Sequence, residues 1–241
     1  MDREEISRIA HTDHPIKAPL GDGSVRELLR HALPRGDERV LDLGCGPAEW
    51  LLRALADRPG ARAEGIDLDA GALAEAHERA EAAGVADRLT LHHKAAEDLV
   101  PEQPYDAVLS VGAAHAFGGL LPTLEAARAH LAPGGRVLIG DGYWEADPSP
   151  EAVELLGDFA DLPTTLDKVS EAGWTPVAAH LSTRHELDAY EWSWLGSVAN
   201  HALDTDSPEL LELVAERRTE WLRTYRHCFG FACLVLRRTR P

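Results

Sequence analysis

Cysteine is scarce: Cys45, Cys228 and Cys233 are the three present in 241 residues. Their odd number, spaced neither as a CxxC pair nor as a zinc pattern, argues against a disulfide framework and points to reduced thiols in a cytoplasmic protein. Long apolar runs are missing as well. No stretch of about 18 apolar residues occurs, so no membrane span is expected. The start, MDREEISRIAH, is charged and lacks the apolar centre of a secretory signal. Basic residues are few, 24 Lys and Arg against 41 Asp and Glu, for a formal net charge of −17. A surface this acidic repels phosphate backbones and disfavours DNA or RNA as partners. The basic tail Arg237-Arg238-Thr239-Arg240 reads as a solvated end. Repeats and low-complexity segments are absent. Neither an HxxxH pattern nor clustered carboxylates suggest a metal, and His92-His93 reads as strand-end surface.

What is present is enough for a sizeable core, with 44% apolar residues in a chain of single-domain length. The organising stretch is VLDLGCGPAEW, Val40 to Trp50. Val40 to Leu43 is short and apolar, as a buried parallel strand is. Gly44-Cys45-Gly46 turns tightly and lets backbone approach a ligand. Pro47 suits the first turn of a helix through Trp50 and Leu51.

Further apolar runs follow at Ala61 to Ile66, Leu89 to His92, Ala107 to Val111 and Arg136 to Gly140, the last entered through a Pro133-Gly134-Gly135 turn and ended by Asp141-Gly142. Helical patterns separate them. Asp69 is placed to cap a helix through Leu73, Ala76 and Ala80 that stops at Gly84. Leu124, Ala127 and Leu131 mark another. Strands alternating with helices of this length form βαβ units and a parallel sheet with right-handed crossovers. The carboxyl ends of the strands then gather Gly44, Asp67, Glu97, Gly112, His115 and Asp141 on one face.

Both flanks of this core read as helical. In the first, Asp2 to Ala10 is a short helix, and Ser24 caps a second through Val25, Leu28 and Leu29. In the second half, Pro148 to Phe159 and Leu166 to Ala172 are helices, and Trp174 to Leu181 is a sixth strand. A long helical pattern follows. Its longest helix is expected after the Ser207-Pro208 cap, with Leu210, Val214, Trp221 and Tyr225 inward. Phe229 to Leu236 is the last strand. Trp144, Trp192, Trp194 and Trp221 are expected outside the sheet units.

A glycine turn of this kind serves NAD, FAD or S-adenosyl-L-methionine (SAM). The dinucleotide fingerprint requires a third glycine or alanine where Glu49 stands, and a carboxylate there repels a pyrophosphate. SAM has no phosphate and carries an ammonium and a sulfonium, which Asp42 and Glu49 suit. Asp67 is 21 residues beyond Gly46, where a carboxylate can accept from both ribose hydroxyls.

Together these stretches resemble the class I SAM-dependent methyltransferases. VLDLGCGPAEW resembles their first motif, GIDLD the second, KAAEDL the third, YDAVLSVGAAHAF the fourth, and HLAPGGRVLIGDGYW the approach to their fifth strand. The resemblance covers about residues 38 to 145. It implies a Rossmann-like α/β fold whose seven-stranded, mostly parallel sheet runs 3-2-1-4-5-7-6. It implies that Gly44, Cys45 and Gly46 approach the methionine part and nucleoside and that Asp42 orients the turn or the amino group. Asp67 would hold the ribose, Leu68 pack on adenine, and Val111 and Gly112 lie beside the sulfonium. Many relatives carry an acid at the position of Ala95; here the Ala96 amide and Glu97 remain for the adenine. The chain thus reads as one methyltransferase domain: an N-terminal lid over 1–35, a SAM-binding core over 36–142, and helical cap insertions over 143–162 and 184–226.

The acceptor side is read from residue chemistry. His115, in the loop after the fourth strand, is the candidate general base, and Asp141 a candidate to bind or deprotonate the acceptor. His14, Tyr143, Trp144 and Trp192 are candidates to contact a small, aromatic or heterocyclic acceptor methylated at oxygen or nitrogen. The expected product is S-adenosyl-L-homocysteine (SAH). A SAM enzyme that does not transfer methyl, an NAD oxidoreductase and a noncatalytic SAM-binding protein stay open at this point.

Overall fold

Apolar runs four to seven residues long, punctuated by glycine and aspartate, become strands, and the 3.6-residue patterns between them become helices. In the computed structural model, which describes residues 1, 3–100 and 102–239, seven strands form one sheet in the order β3-β2-β1-β4-β5-β7-β6. The strands are β1 (Arg39–Leu43), β2 (Arg62–Asp67), β3 (Leu89–His93), β4 (Tyr105–Val111), β5 (Leu131–Trp144), β6 (Trp174–Leu181) and β7 (Phe229–Arg238). The first five pair in parallel. This is the sheet order that the resemblance implied.

The helices are α1 (Arg3–Ala10), α2 (Asp22–Ala32), α3 (Glu49–Asp57), α4 (Ala70–Ala82), α5 (Leu120–His130), α6 (Pro150–Leu156), α7 (Leu162–Glu171), α8 (Arg184–Asp204) and α9 (Pro208–Thr219), with a π-helical stretch at Glu220–Tyr225. Asp69 caps α4 as expected, accepting from the Gly71 and Ala72 amides at 2.8 and 3.0 Å. Gly84, with φ 66°, follows its end. Asp2, expected in the first helix, and Arg240, expected in the basic tail, lie outside the described residues.

Several boundaries differ from the sequence expectation. Pro47 does not open α3. Ala48 is the N-cap in the left-handed region, φ 57°, and helix begins only at Glu49. Ser24 lies inside α2, which starts two residues earlier. The Pro133-Gly134-Gly135 stretch belongs to β5, because Leu131 pairs with Tyr105 across a register shift and extends the ladder. β5 also continues through Asp141 and Gly142, so Tyr143 and Trp144 end a strand and are not in a helical insertion. The longest helix is α8, 21 residues closed by a Thr183/Glu186 capping box, rather than the one after Ser207, whose side chain makes no cap bond.

The chain divides into two compact units. A sheet unit takes Asp22–Asp141, Leu166–His180 and Ala232–Pro241. A helical unit takes Met1–Gly21, Gly142–Thr165 and Leu181–Phe231. The sheet unit's core joins Leu41, Leu43, Ile66, Val108, Ile139, Trp174 and Leu236. Burying side chains of this size contributes about 1.5–3 kcal/mol each. The helical unit's core joins Ala10, Trp194, Leu195, Val198 and Leu210. The expected 1–35 segment falls in both: its first 21 residues group with α8 and α9, and α2 groups with the sheet.

Candidate active site

The glycine turn sits at the carboxyl end of β1, between the ends of β2 and β4. Register brings these ends to one level: Leu43 pairs with Ile66, Asp42 with Leu109, and Val111 with Gly140. The turn is held from both sides. Gly44 and Cys45 both donate their amides to the Ile66 carbonyl at 2.9 Å. Gly46 donates to Asp67 Oδ2 at 2.7 Å, and Asp69 to Asp67 Oδ1 at 2.9 Å. The buried Ser110 hydroxyl donates to the Leu43 carbonyl at 3.0 Å, satisfying β1 where its ladder ends.

Left-handed backbone at Gly44 (φ 78°), Gly46 (φ 51°) and Ala48 (φ 57°) gives the turn its shape. At Gly44 glycine is required twice over, since a Cβ there would lie 2.7 Å from the Ala113 methyl. The Cys45 thiol is buried against Gly65, where an added Cβ would lie 2.7 Å from its sulfur. Burial, with Asp42 and Asp67 beside it, pushes this thiol far up, so Cys45 stays protonated.

Asp42 is 3% exposed. Burial, and then the neighbouring Asp67 charge, push its carboxyl up to about 7. Glu49, the other acid expected near the cofactor, is engaged elsewhere. Its oxygens meet Arg53 Nε, at 2.5 Å, and Arg79 on α4; Arg53 in turn holds Asp22 at 2.7 Å. Glu49 therefore ties α3 to α4 and is no solvated helix carboxylate.

This donor set fits a cation at the turn. Three consecutive amides, which a phosphate would need, are already satisfied within the protein. What remains is a buried acid beside a second acid, whose repulsion an ammonium relieves. Asp67 retains lone pairs for hydroxyl donors after accepting two amides.

Around this centre, Leu68 follows β2 and is 69% exposed. Ala96 and Glu97 stand on the 3-10 turn Ala96–Asp98 after β3, with Glu97 exposed. Val111 ends β4, and Gly112, with φ 73°, donates its amide to the Gly140 carbonyl at 3.0 Å. His115 is exposed on the 3-10 turn Ala114–Phe117. Asp141 lies one residue beyond Gly140 within β5; it is a strand residue and not part of a turn. Asp67 thus ends β2, Gly44 and Gly112 follow β1 and β4, Glu97 and His115 stand on turns after β3 and β4, and Asp141 lies within β5 rather than at its end.

The remaining four candidates lie in the helical unit. Tyr143 and Trp144 are buried. Trp144 packs edge-on to Phe159 and Phe229, with centroids at 5.8 and 6.2 Å. His14 packs edge-on to Tyr190 at 5.5 Å. Trp192 is 52% exposed on α8 and joins neither group. Sequence reasoning missed Tyr190, Ser110 and the buried ion pair of Glu191 with Arg217 (Nε and Nη2 at 3.0 and 3.1 Å). The T-x-x-E signal at Thr183 to Glu186 would have placed the start of α8. Among the described residues no group of three or more His, Cys, Asp or Glu is placed to hold a metal ion, and no helix is long and apolar enough to cross a membrane.

The sheet order and the acid-flanked glycine turn define a class: the chain belongs to the class I SAM-dependent methyltransferases. The Methyltransferase domain family matches residues 40–135. The chain is 31% identical to YjhP of Escherichia coli (strain K12) over 246 residues, 98% of this chain and 99% of that one. It superposes on a SAM-dependent methyltransferase from Geobacter sulfurreducens, solved with SAH, with a TM-score of 0.87 at 29% identity, covering 97% and 98% of the two chains. A second SAH complex, the SAM-dependent methyltransferase of Thiobacillus denitrificans, gives 0.87 at 28% identity over 99% and 100%. The protein is a SAM-dependent methyltransferase, and SAM is its methyl donor.

Proposed function

We propose that the chain methylates a small molecule at oxygen or nitrogen, with aromatic and heterocyclic compounds as the favoured class, in the cytoplasm. The observation that carries the cofactor side is the turn itself, with its amides spent and two acids beside it. The acidic surface disfavours nucleic acid, and the aromatic side chains of the helical unit favour a flat, apolar acceptor.

In this reading the chain is one methyltransferase domain with residues 1–35 as a lid. Asp42 takes the cofactor's ammonium, Gly44, Cys45 and Gly46 flank its methionine part, and Asp67 takes the ribose hydroxyls. Leu68 packs on the adenine, with the Ala96 amide and Glu97 at its polar edge. Val111 and Gly112 border the sulfonium. When bound, the cofactor supplies an electrophilic methyl on a good leaving group, so positioning and exclusion of water carry much of the rate. His115 takes the acceptor's proton, and Asp141 binds the acceptor or assists. His14, Tyr143, Trp144 and Trp192 contact its body.

A library of small phenols, heterocycles and amines incubated with SAM and read by SAH release tests this. Turnover of a small acceptor is expected. His115→Ala is expected to lower turnover more than SAM affinity; unchanged turnover would remove His115 as the base.

A further inference from the structure

A cluster of titratable side chains surrounds Tyr190 on α8, away from the glycine turn in sequence. His11 Nδ1 lies 2.7 Å from the Ser7 carbonyl oxygen. A carbonyl only accepts, so Nδ1 carries the proton and Nε2 a lone pair. The Tyr190 hydroxyl donates to that lone pair at 3.0 Å. Burial pushes His11 down to about 4, and the Lys17 and Arg217 cations act in the same direction, so the ring is neutral at pH 7. His14 is fixed by the same device. Its Nε2–H donates to the Ala18 carbonyl at 2.8 Å, and no described residue donates to its Nδ1.

The segment bearing both histidines is held on one face of α8. His11 bonds Tyr190, the Ser197 hydroxyl donates to Asp13 at 3.1 Å, and Gly21 donates to Glu186 at 3.0 Å. These α8 positions, spaced four and seven apart, share a face. Lys17, between His14 and Ala18, sits in the left-handed region at φ 54°. A non-glycine residue keeps that conformation only where its surroundings impose it. Tyr190 and His14 remain partly exposed, with ring centroids 5.5 Å apart.

The geometry points to a specificity site: Tyr190 and His14 form an acceptor-only pair that recognises an O–H or N–H donor on the methyl-accepting molecule. Tyr190 has spent its one hydrogen on His11, so its oxygen offers lone pairs alone. His14 Nδ1 offers the same. A ligand with a donor satisfies them. A ligand with only acceptors meets lone-pair repulsion, and an apolar one leaves them dry and unsatisfied. Phenols, alcohols, amides and ring N–H groups carry such a donor. His11 is the positioning residue, since it fixes which way the Tyr190 hydroxyl points. The proposal rests on the small-molecule reading above and deepens it.

The test uses the full-length protein with 15N-labelled histidine, saturated with SAH, and two probes, phenol and anisole. They differ in one hydrogen replaced by methyl. Phenol is expected to shift the His14 Nδ1 resonance saturably and to bind about ten-fold or more tightly than anisole. Tyr190→Phe and His14→Gln should each abolish that preference. Equal response to both probes, no response to either, or a preference undiminished in both variants would overturn the proposal. SAH affinity by calorimetry reports separately on folding of each variant. If wild type failed to bind SAH, the cofactor assignment would fall, and the phenol–anisole comparison on the SAH-free protein would still decide this site.

Discussion

The Asp67 carboxylate closes the glycine turn on itself by accepting the Gly46 amide, 21 residues upstream, at 2.7 Å. Its other oxygen accepts the Asp69 amide, so one side chain joins the turn after β1 to the start of α4. That bond does more than hold a loop. It leaves the lone pairs of Asp67 aimed by two backbone contacts, so in the proposed reading a ribose would meet a carboxylate already oriented, at little entropic cost.

Removing that carboxylate should therefore weaken cofactor binding twice, through the lost ribose contact and through a loosened turn. Asp67→Ala is expected to lower SAM and SAH affinity by an order of magnitude or more in titration calorimetry. Unchanged affinity would remove the ribose assignment.

The close approach at Gly44 makes a paired steric prediction. Gly44→Ala places a methyl 2.7 Å from the Ala113 methyl and forces a non-glycine residue to φ 78°. The left-handed backbone alone costs about 1–2 kcal/mol. Denaturant unfolding of Gly44→Ala should show at least that loss. Adding Ala113→Gly should restore the steric part only. Full additivity of the two changes would show that the residues do not touch.

Asp42 makes the stability of the cofactor-free protein depend on pH. Its folded-state value of about 7 lies above the ordinary 3.8. Between these values the folded protein holds a proton that the unfolded chain has released. The contribution is full below about 4 and is lost as pH rises through 7. With Asp42 holding the ammonium, binding requires the ionised acid. SAH affinity should then climb about ten-fold per pH unit below 7 and level off above it. His11 acts with the opposite sign on stability: held down at about 4, it favours the folded state above 6.5 and loses that contribution as pH falls toward 4. Unfolding of Asp42→Asn across pH 4 to 8 should lose the first slope and keep the second. A calorimetric affinity flat across pH 7 would remove Asp42 as the ammonium partner.

In the helical unit the sensitive position is Glu191. It takes Arg217 through two bonds, accepts the Tyr225 hydroxyl at 3.2 Å, and leaves the Arg217 guanidinium 4.4 Å over the Trp194 ring. Glu191→Gln strands a largely buried cation, and breaking such a pair costs about 3–5 kcal/mol. A drop in urea stability of that size is expected, with recovery when Arg217 is also changed to Leu. A drop below about 1 kcal/mol would mean that water already screens the pair.

The core strands and the α4 cap were legible because their signals are local: apolar runs, an aspartate before a helix, a glycine after it. The boundaries that differed were set by partners distant in sequence. Pro133-Gly134-Gly135 has turn composition, yet the pairing of Leu131 with Tyr105 draws it into β5. Pro47 suits a helix start, yet the alternating left-handed residues Gly44, Gly46 and Ala48 delay α3 to Glu49. Glu49 was expected to suit the cofactor's cations, yet it pairs with two arginines; Arg53 stands four residues on, a spacing legible in the sequence, whereas Arg79 comes from α4, 30 residues away.

By itself the sequence favoured SAM and left NAD open, because a glycine turn and a following acid are properties of contiguous residues, and the resemblance of its motifs implied the strand order. Tertiary structure decided the charge state and the hydrogen-bond direction. Asp42 near 7, the three spent amides, and a Tyr190 hydroxyl committed to His11 all depend on burial and on groups brought together across the chain. Desolvation and hydrogen-bond geometry are properties of the folded surroundings and cannot be read from composition.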